Sequence, residues 1–199
     1  MKQGLVVAVA ALCVSASSAA AGQPALEQVW RTEGFCNPEG VAAAPDGALF
    51  ISNVCGEGGD HDGNGFISRV SATGDIVDLK FIDGPKGMAV HDGHLYVADI
   101  DIVRIFDAAT GEALDGAPVE AARFLNDATV WRDDVFVSDS GTGRIWRFTG
   151  TSIELWREGE ELRGVNGLTG AGDRMFVSTM TSGSLFEATA SGGWRTIAT

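Results

Sequence analysis

From about residue 37 onward, short apolar runs alternate with polar turns, and no stretch carries the three-to-four spacing of an amphipathic helix. One unit recurs four times. Glu39-Gly40-Val41 leads to Pro45-Asp46-Gly47 and then Leu49-Phe50-Ile51-Ser52-Asn53. Lys86-Gly87-Met88 leads to His91-Asp92-Gly93 and Leu95-Tyr96-Val97-Ala98-Asp99. Asn126-Asp127-Ala128 leads to Arg132-Asp133 and Val135-Phe136-Val137-Ser138-Asp139, and Asn166-Gly167-Leu168 to Gly172-Asp173 and Met175-Phe176-Val177-Ser178-Thr179. The steps from Gly40 to Gly87, Asp127 and Gly167 are 47, 40 and 40 residues. Each unit continues into two more β-branched or aromatic runs: 65–70 with 76–82, 102–107 with 113–119, 144–148 with 153–156, and 184–188 with 194–198. Four strands per unit at a period near 40 predict an all-β fold, a β-propeller with about four four-stranded blades. All five tryptophans precede an arginine, which on a strand predicts Trp packed between sheets and Arg on the opposite face.

In a propeller the innermost strand of each blade leaves one face and the second strand returns to it. The residues just before the inner strands, Glu39, Lys86, Asn126 and Asn166, are therefore expected around the central channel. The residues ending the second strands, Asn53, Asp99, Asp139 and Thr179, are expected further out on the same face. One carboxylate and two amide oxygens converging on an axis form a hard-oxygen site suited to calcium, with Glu39, Asn126 and Asn166 as metal ligands. The alternative is that Asn and Gly at these places only make turns. Lys86 cannot coordinate a cation and is expected at the rim. The same geometry puts Cys36, before the first inner strand, beside Cys55, after the second strand, so a Cys36–Cys55 disulfide is expected there, with two free buried thiols as the alternative. A second candidate calcium loop is Asp60-His61-Asp62-Gly63-Asn64-Gly65, with oxygens from Asp60, Asp62 and Asn64. Position twelve of that loop is Ser71, not Glu, and Asn64-Gly65 is equally a hairpin turn.

Composition narrows the function. The 199 residues carry 27 acidic and 14 basic side chains, a formal net charge of -13, which disfavours nucleic acid and suits cation sites. At the N-terminus, Lys2, the apolar run 5–14 and small residues 15–21 form a secretory signal peptide over 1–21, too short to span a membrane. The remainder, 22–199, is expected to be a propeller domain that is periplasmic or secreted, with no membrane span after leader removal. No Gly-x-Ser-x-Gly elbow, dinucleotide fingerprint or P-loop occurs, and His91 and His94 have no third ligand for zinc.

The motifs Pro38-Glu39-Gly40, Arg123-Phe124-Leu125-Asn126-Asp127 and Asn166-Gly167-Leu168 resemble the senescence-marker-protein/gluconolactonase family, the regucalcin-like calcium-dependent six-bladed propellers. The resemblance covers about residues 34–199. It implies a divalent cation on the axis held by Glu39, Asn126 and Asn166, with Arg123 and Asp127 orienting a small-molecule substrate. It also implies hydrolysis of sugar lactones or related esters. Leu125 sets Arg123 one residue further from Asn126 than the family spacing. The family's fourth ligand, often also its general base, is expected beyond Thr199, on blades that would bring four to six. Residues 1–199 alone would then be catalytically weak or inactive. The other functional class is a non-catalytic NHL-like propeller that binds a ligand or partner on the same face.

Overall fold

The computed structural model describes residues 27–199 except Thr151; the expected signal peptide at 1–21 lies outside the described residues. Sixteen strands form four antiparallel sheets, each paired in chain order from inner to outer strand. Blade 1 holds β1 (Pro38–Ala43), β2 (Leu49–Asn53), β3 (Gly65–Val70) and β4 (Ile76–Ile82). Blade 2 holds β5 (Pro85–His91), β6 (His94–Asp99), β7 (Ile102–Asp107) and β8 (Ala117–Pro118). Blade 3 holds β9 (Leu125–Trp131), β10 (Asp134–Asp139), β11 (Arg144–Phe148) and β12 (Ile153–Glu158). Blade 4 holds β13 (Val165–Ala171), β14 (Arg174–Thr179), β15 (Leu185–Thr189) and β16 (Trp194–Ala198). Among the described residues the one helical turn is a 3-10 segment at Glu160–Leu162.

The strands fall where the alternating pattern predicts, with one correction. The run expected over 113–119 is reduced to β8 and a single bridge from Phe106 to Ala113. Here the Asp107 carboxylate accepts the backbone N–H groups of Ala109 and Thr110 and fixes a turn. Gly116 then follows, and Pro118 has no N–H to give the ladder.

The inner strands stand side by side: β1 packs on β5, β5 on β9 and β9 on β13. Three apolar seams hold the blades together. Phe50 and Ile67 of blade 1 meet Met88, Leu95 and Phe106 of blade 2. Tyr96 and Val103 of blade 2 meet Val135, Val137 and Phe148 of blade 3. Trp131, Phe136 and Ile145 of blade 3 meet Met175, Val177 and Phe186 of blade 4. One aromatic, at the equivalent place in the second strand, anchors each seam: Phe50, Tyr96 and Phe136, all buried.

Burying such side chains contributes roughly 1.5–3 kcal/mol each, which makes the seams the main source of stability. Trp131, Trp156 and Trp194 run edge to face along the third seam. Arg157 crosses back to lie 3.9 Å over the Trp194 ring rather than pointing away from the aromatic layer.

The third seam is too close for a side chain at Gly170. A Cβ there would land inside van der Waals contact with the Val130 carbonyl oxygen and 3.2 Å from Trp131 Cα, both main-chain atoms that cannot swing aside. Gly170→Ala should therefore force the two inner strands apart and destabilise the fold by about 2 kcal/mol. A urea unfolding midpoint for the two proteins checks this. An unchanged midpoint would mean the seam yields at no cost.

Candidate functional site

The ring residues do not precede the inner strands, as the sequence reading expected; they lie inside them, at a repeated irregularity. Between Pro38↔Asn53 and Val41↔Ile51, two residues of β1, Glu39 and Gly40, oppose one residue of β2, Ser52. The same two-against-one step recurs at Lys86-Gly87 opposite Ala98, Asn126-Asp127 opposite Ser138, and Asn166-Gly167 opposite Ser178. Each is a β-bulge. A bulge re-aims side chains that regular alternation would put between the blades.

Serines stabilise the bulges. Ser52 Oγ accepts the Gly40 N–H at 2.7 Å, and Ser138 Oγ accepts the Asp127 N–H at 2.9 Å. Ser138 also donates to the Asn166 carbonyl at 2.6 Å, joining the third bulge to the fourth.

All four bulges reach one cavity of about 220 Å³, lined by Glu39, Gly40, Gly87, Asn126, Asp127 and Asn166 among others, and three of them supply polar side chains to it. All three expected ligands and Asp127 thus line a single pocket at the meeting point of the inner strands. Asn126 is 5% exposed, and its side chain opens onto the cavity rather than being a sealed, unpaired polar group. The Asn166 amide nitrogen lies 3.4 Å from Met180 Sδ, which leaves its oxygen unengaged among the described residues.

Asp127 is held differently. Its Oδ2 accepts the Leu168 N–H of blade 4 at 2.7 Å and its Oδ1 accepts the Ala128 N–H at 2.8 Å. On the other side it presses on blade 2, where a Cβ at Gly87 would collide with Oδ1. Asp127 therefore braces three blades while lining the pocket.

Electrostatics in the pocket favour an added positive charge. Desolvation, then repulsion from Asp127, raise the Glu39 pKa above the usual carboxylate value, with Lys86 opposing, although Glu39 itself is exposed at the mouth. Burial raises the Asp127 pKa, and the two N–H groups it accepts partly offset this. Two carboxylates and two amides thus face one another. No three His, Cys, Asp or Glu side chains cluster anywhere among the described residues, so a cation here would depend on the amide oxygens beside the two carboxylates.

Lys86 is not at the rim. It is 3% exposed and lies outside the lining of the pocket. Its ammonium donates to the carbonyls of Gly58 at 2.5 Å and Gly84 at 2.8 Å and sits 4.3 Å over the Phe124 ring. Burial lowers its pKa, and Asp99 and Glu39 counter this. Lysine's long stem lets the charge leave the ring and clamp the loop that follows Cys55.

The second-strand ends are buried latches. Asn53 Oδ1 accepts the Cys36 N–H, Asp99 Oδ1 the Gly84 N–H, and Asp139 Oδ1 the Phe124 N–H, each fixing the segment that leads into an inner strand. Asp139 also accepts from Gly141 and Thr142.

Cys36 and Cys55 form a disulfide with Cα atoms 4.9 Å apart. The Asp60-Asn64 segment folds as a turn, in which Asp62 accepts both the backbone and the side-chain N–H of Asn64 and Asp83 accepts the Gly63 N–H. Asp60 is exposed. Arg123 is exposed and lines a separate cavity of about 790 Å³ on the same face, with His61, Asp83, Asp101 and Arg104. The structure thus brings Asp127, but not Arg123, to the axial pocket.

No family model and no curated protein matches the chain. Solved structures do. Virginiamycin B lyase from Staphylococcus aureus superposes with a TM-score of 0.62 at 12% identity, covering 81% of this chain and 70% of that one. Hydrazine synthase of Kuenenia stuttgartiensis gives 0.62 at 20% identity, covering 88% and 53%. The WD40 repeats of RRP9 give 0.63 at 11%, covering 81% and 51%. These likenesses show the propeller fold, and the chain spans about half of the latter two.

Proposed function

We propose that this protein is an exported hydrolase of sugar lactones or related esters that uses a divalent cation, calcium by its donor set, held by Glu39, Asn126 and Asn166. The observation that carries the reading is the convergence of Glu39, Asn126 and Asn166, from three different blades, on one pocket at the meeting point of the inner strands. A carboxylate with neutral oxygens suits calcium better than softer metals. When bound, such a cation polarises a carbonyl and stabilises the charge developing on its oxygen. Glu39 supplies the compensating charge at the open side, and the Asn126 and Asn166 bulges fix the two amide donors. Asp127 orients them by tying blade 3 to blade 4. Export is supported by the disulfide, a bond that persists in oxidising compartments. Among the described residues no helix is long and apolar enough to cross a membrane.

One observation favours the second reading, a binding propeller without catalysis. Both Asp127 oxygens accept backbone N–H groups, so Glu39 is the pocket's one carboxylate without such bonds. The chain should show a calcium-dependent rise in melting temperature, since a ligand bound only to the folded state stabilises it by mass action. Any hydrolysis of a sugar δ-lactone by residues 1–199 alone, followed by proton release, should be calcium-dependent and slow. Calcium binding without hydrolysis would establish the binding reading instead. No calcium shift at millimolar concentration would overturn the cation site.

A further inference from the structure

We infer that the Cys36–Cys55 disulfide is a positioning element for Glu39, so that the redox state of this bond sets cation affinity in the axial pocket. The inference rests on the cation-site reading above. Glu39 lies three residues after Cys36, and a single ladder pair, Pro38↔Asn53, precedes it before the bulge.

The other blades secure this place differently. In blades 2 and 3 the segment leading into the inner strand is latched by a buried carboxylate, Asp99 on Gly84 N at 2.7 Å and Asp139 on Phe124 N at 2.9 Å. In blade 1 the latch is neutral, Asn53 on Cys36 N at 3.0 Å. Hydrogen bonds to a charged acceptor are about twice as strong as neutral ones. The covalent bond stands where the charge is missing.

The backbone beside the bond makes the tether necessary. Asn37 and Cys55 both sit in the left-handed region, at φ 48 and 55, where a residue with a Cβ is strained. They lie on the two segments the disulfide joins and are otherwise linked by Val54 N–H to Asn37 O and Cys55 N–H to Cys36 O, each at 3.2 Å. Opening the bond lets these residues relax toward ordinary φ values, and the shift propagates through Pro38 to Glu39. Asn126 and Asn166, on blades 3 and 4, stay in place.

The test compares calcium affinity of the full chain in oxidised and reduced form, by isothermal titration with calcium chloride. Dithiothreitol delivers two electrons and two protons to the sulfurs, giving two thiols while itself closing to a cyclic disulfide; oxidised glutathione reverses the exchange. Reduction should weaken calcium binding about tenfold, a typical coupling between two linked sites, and reoxidation should restore it. The Cys36→Ala/Cys55→Ala chain should behave as the reduced one.

Four of the five tryptophans, Trp131, Trp146, Trp156 and Trp194, lie on blades 3 and 4, so in a Trp30→Phe background the fluorescence reports whether that part of the fold is intact. It should be unchanged. Linkage also demands that saturating calcium shift the thiol–disulfide equilibrium toward the disulfide by the same factor. Equal affinity in both redox states overturns the inference and leaves the cation site standing. Loss of the tryptophan signal on reduction also overturns it, because the bond is then a staple of the whole fold. An oxidised chain that binds no calcium overturns the cation site itself.

Discussion

Replacing Asp139 by alanine should lower the unfolding free energy by about 4 kcal/mol, the largest stability effect expected of any substitution at the ring face. Asp139 is fully buried and lies in the middle of the arc of blades. Its carboxylate accepts the N–H groups of Arg123, Phe124 and Gly141 and the Thr142 hydroxyl. It has no cationic side chain within ion-pair distance among the described residues, so these donors alone offset its desolvation. Alanine removes the buried charge, which is favourable, but strands several donors at roughly 1–3 kcal/mol each. The donors outnumber the single charge, so the loss wins. Asn at 139 keeps one acceptor and should cost about half as much. Urea titrations of the three proteins check the order. An alanine variant as stable as the parent would mean that water replaces the carboxylate, and that the latch contributes nothing.

Glu39→Gln should weaken calcium binding about a hundredfold while raising the stability of the calcium-free protein. The first effect follows because Glu39 is the pocket carboxylate whose oxygens are not spent on backbone N–H groups, and calcium affinity tracks ligand charge. The second follows from the sign of its pKa. Desolvation and Asp127 raise it, so at neutral pH the ionised form is less favourable folded than unfolded. Removing the charge removes that penalty. A melting curve with and without calcium reads both effects at once: the variant should melt higher without the ion and gain nothing from it. A variant that gains as much from calcium as the parent would place the cation elsewhere. The opposite signs separate a ligand from a structural residue, whose loss would lower stability in both conditions.

Much of this was legible before folding was considered. Turn chemistry at Pro45-Asp46-Gly47 and His91-Asp92-Gly93, and the alternation in Leu49–Asn53 and Val135–Asp139, marked strands and their ends because both are local properties. The recurrence of Glu39, Asn126 and Asn166 in register pointed to one place on an axis, and the structure does bring them to one pocket. The partnership of Cys36 with Cys55 followed from the two positions flanking one strand pair. Lys86 was misread because ring position alone does not say where a long side chain takes its charge. The nearby carbonyls of Gly58 and Gly84 and the Phe124 ring decide that, and they come from other segments.

By itself, then, the sequence determined the strands, their grouping into four blades and the set of polar residues on one face. Strand propensity, turn geometry and a repeated pattern act over a few residues and repeat with the chain. Only the tertiary structure decided that the ring residues sit in bulges, that Asp127 braces blades 2 and 4, and that Arg123 faces a different cavity from the one Asn126 lines. Those outcomes depend on ladder register and on how closely neighbouring inner strands approach. Both are set by contacts between residues about 40 positions apart, such as Asp127 with Leu168, which no local pattern encodes.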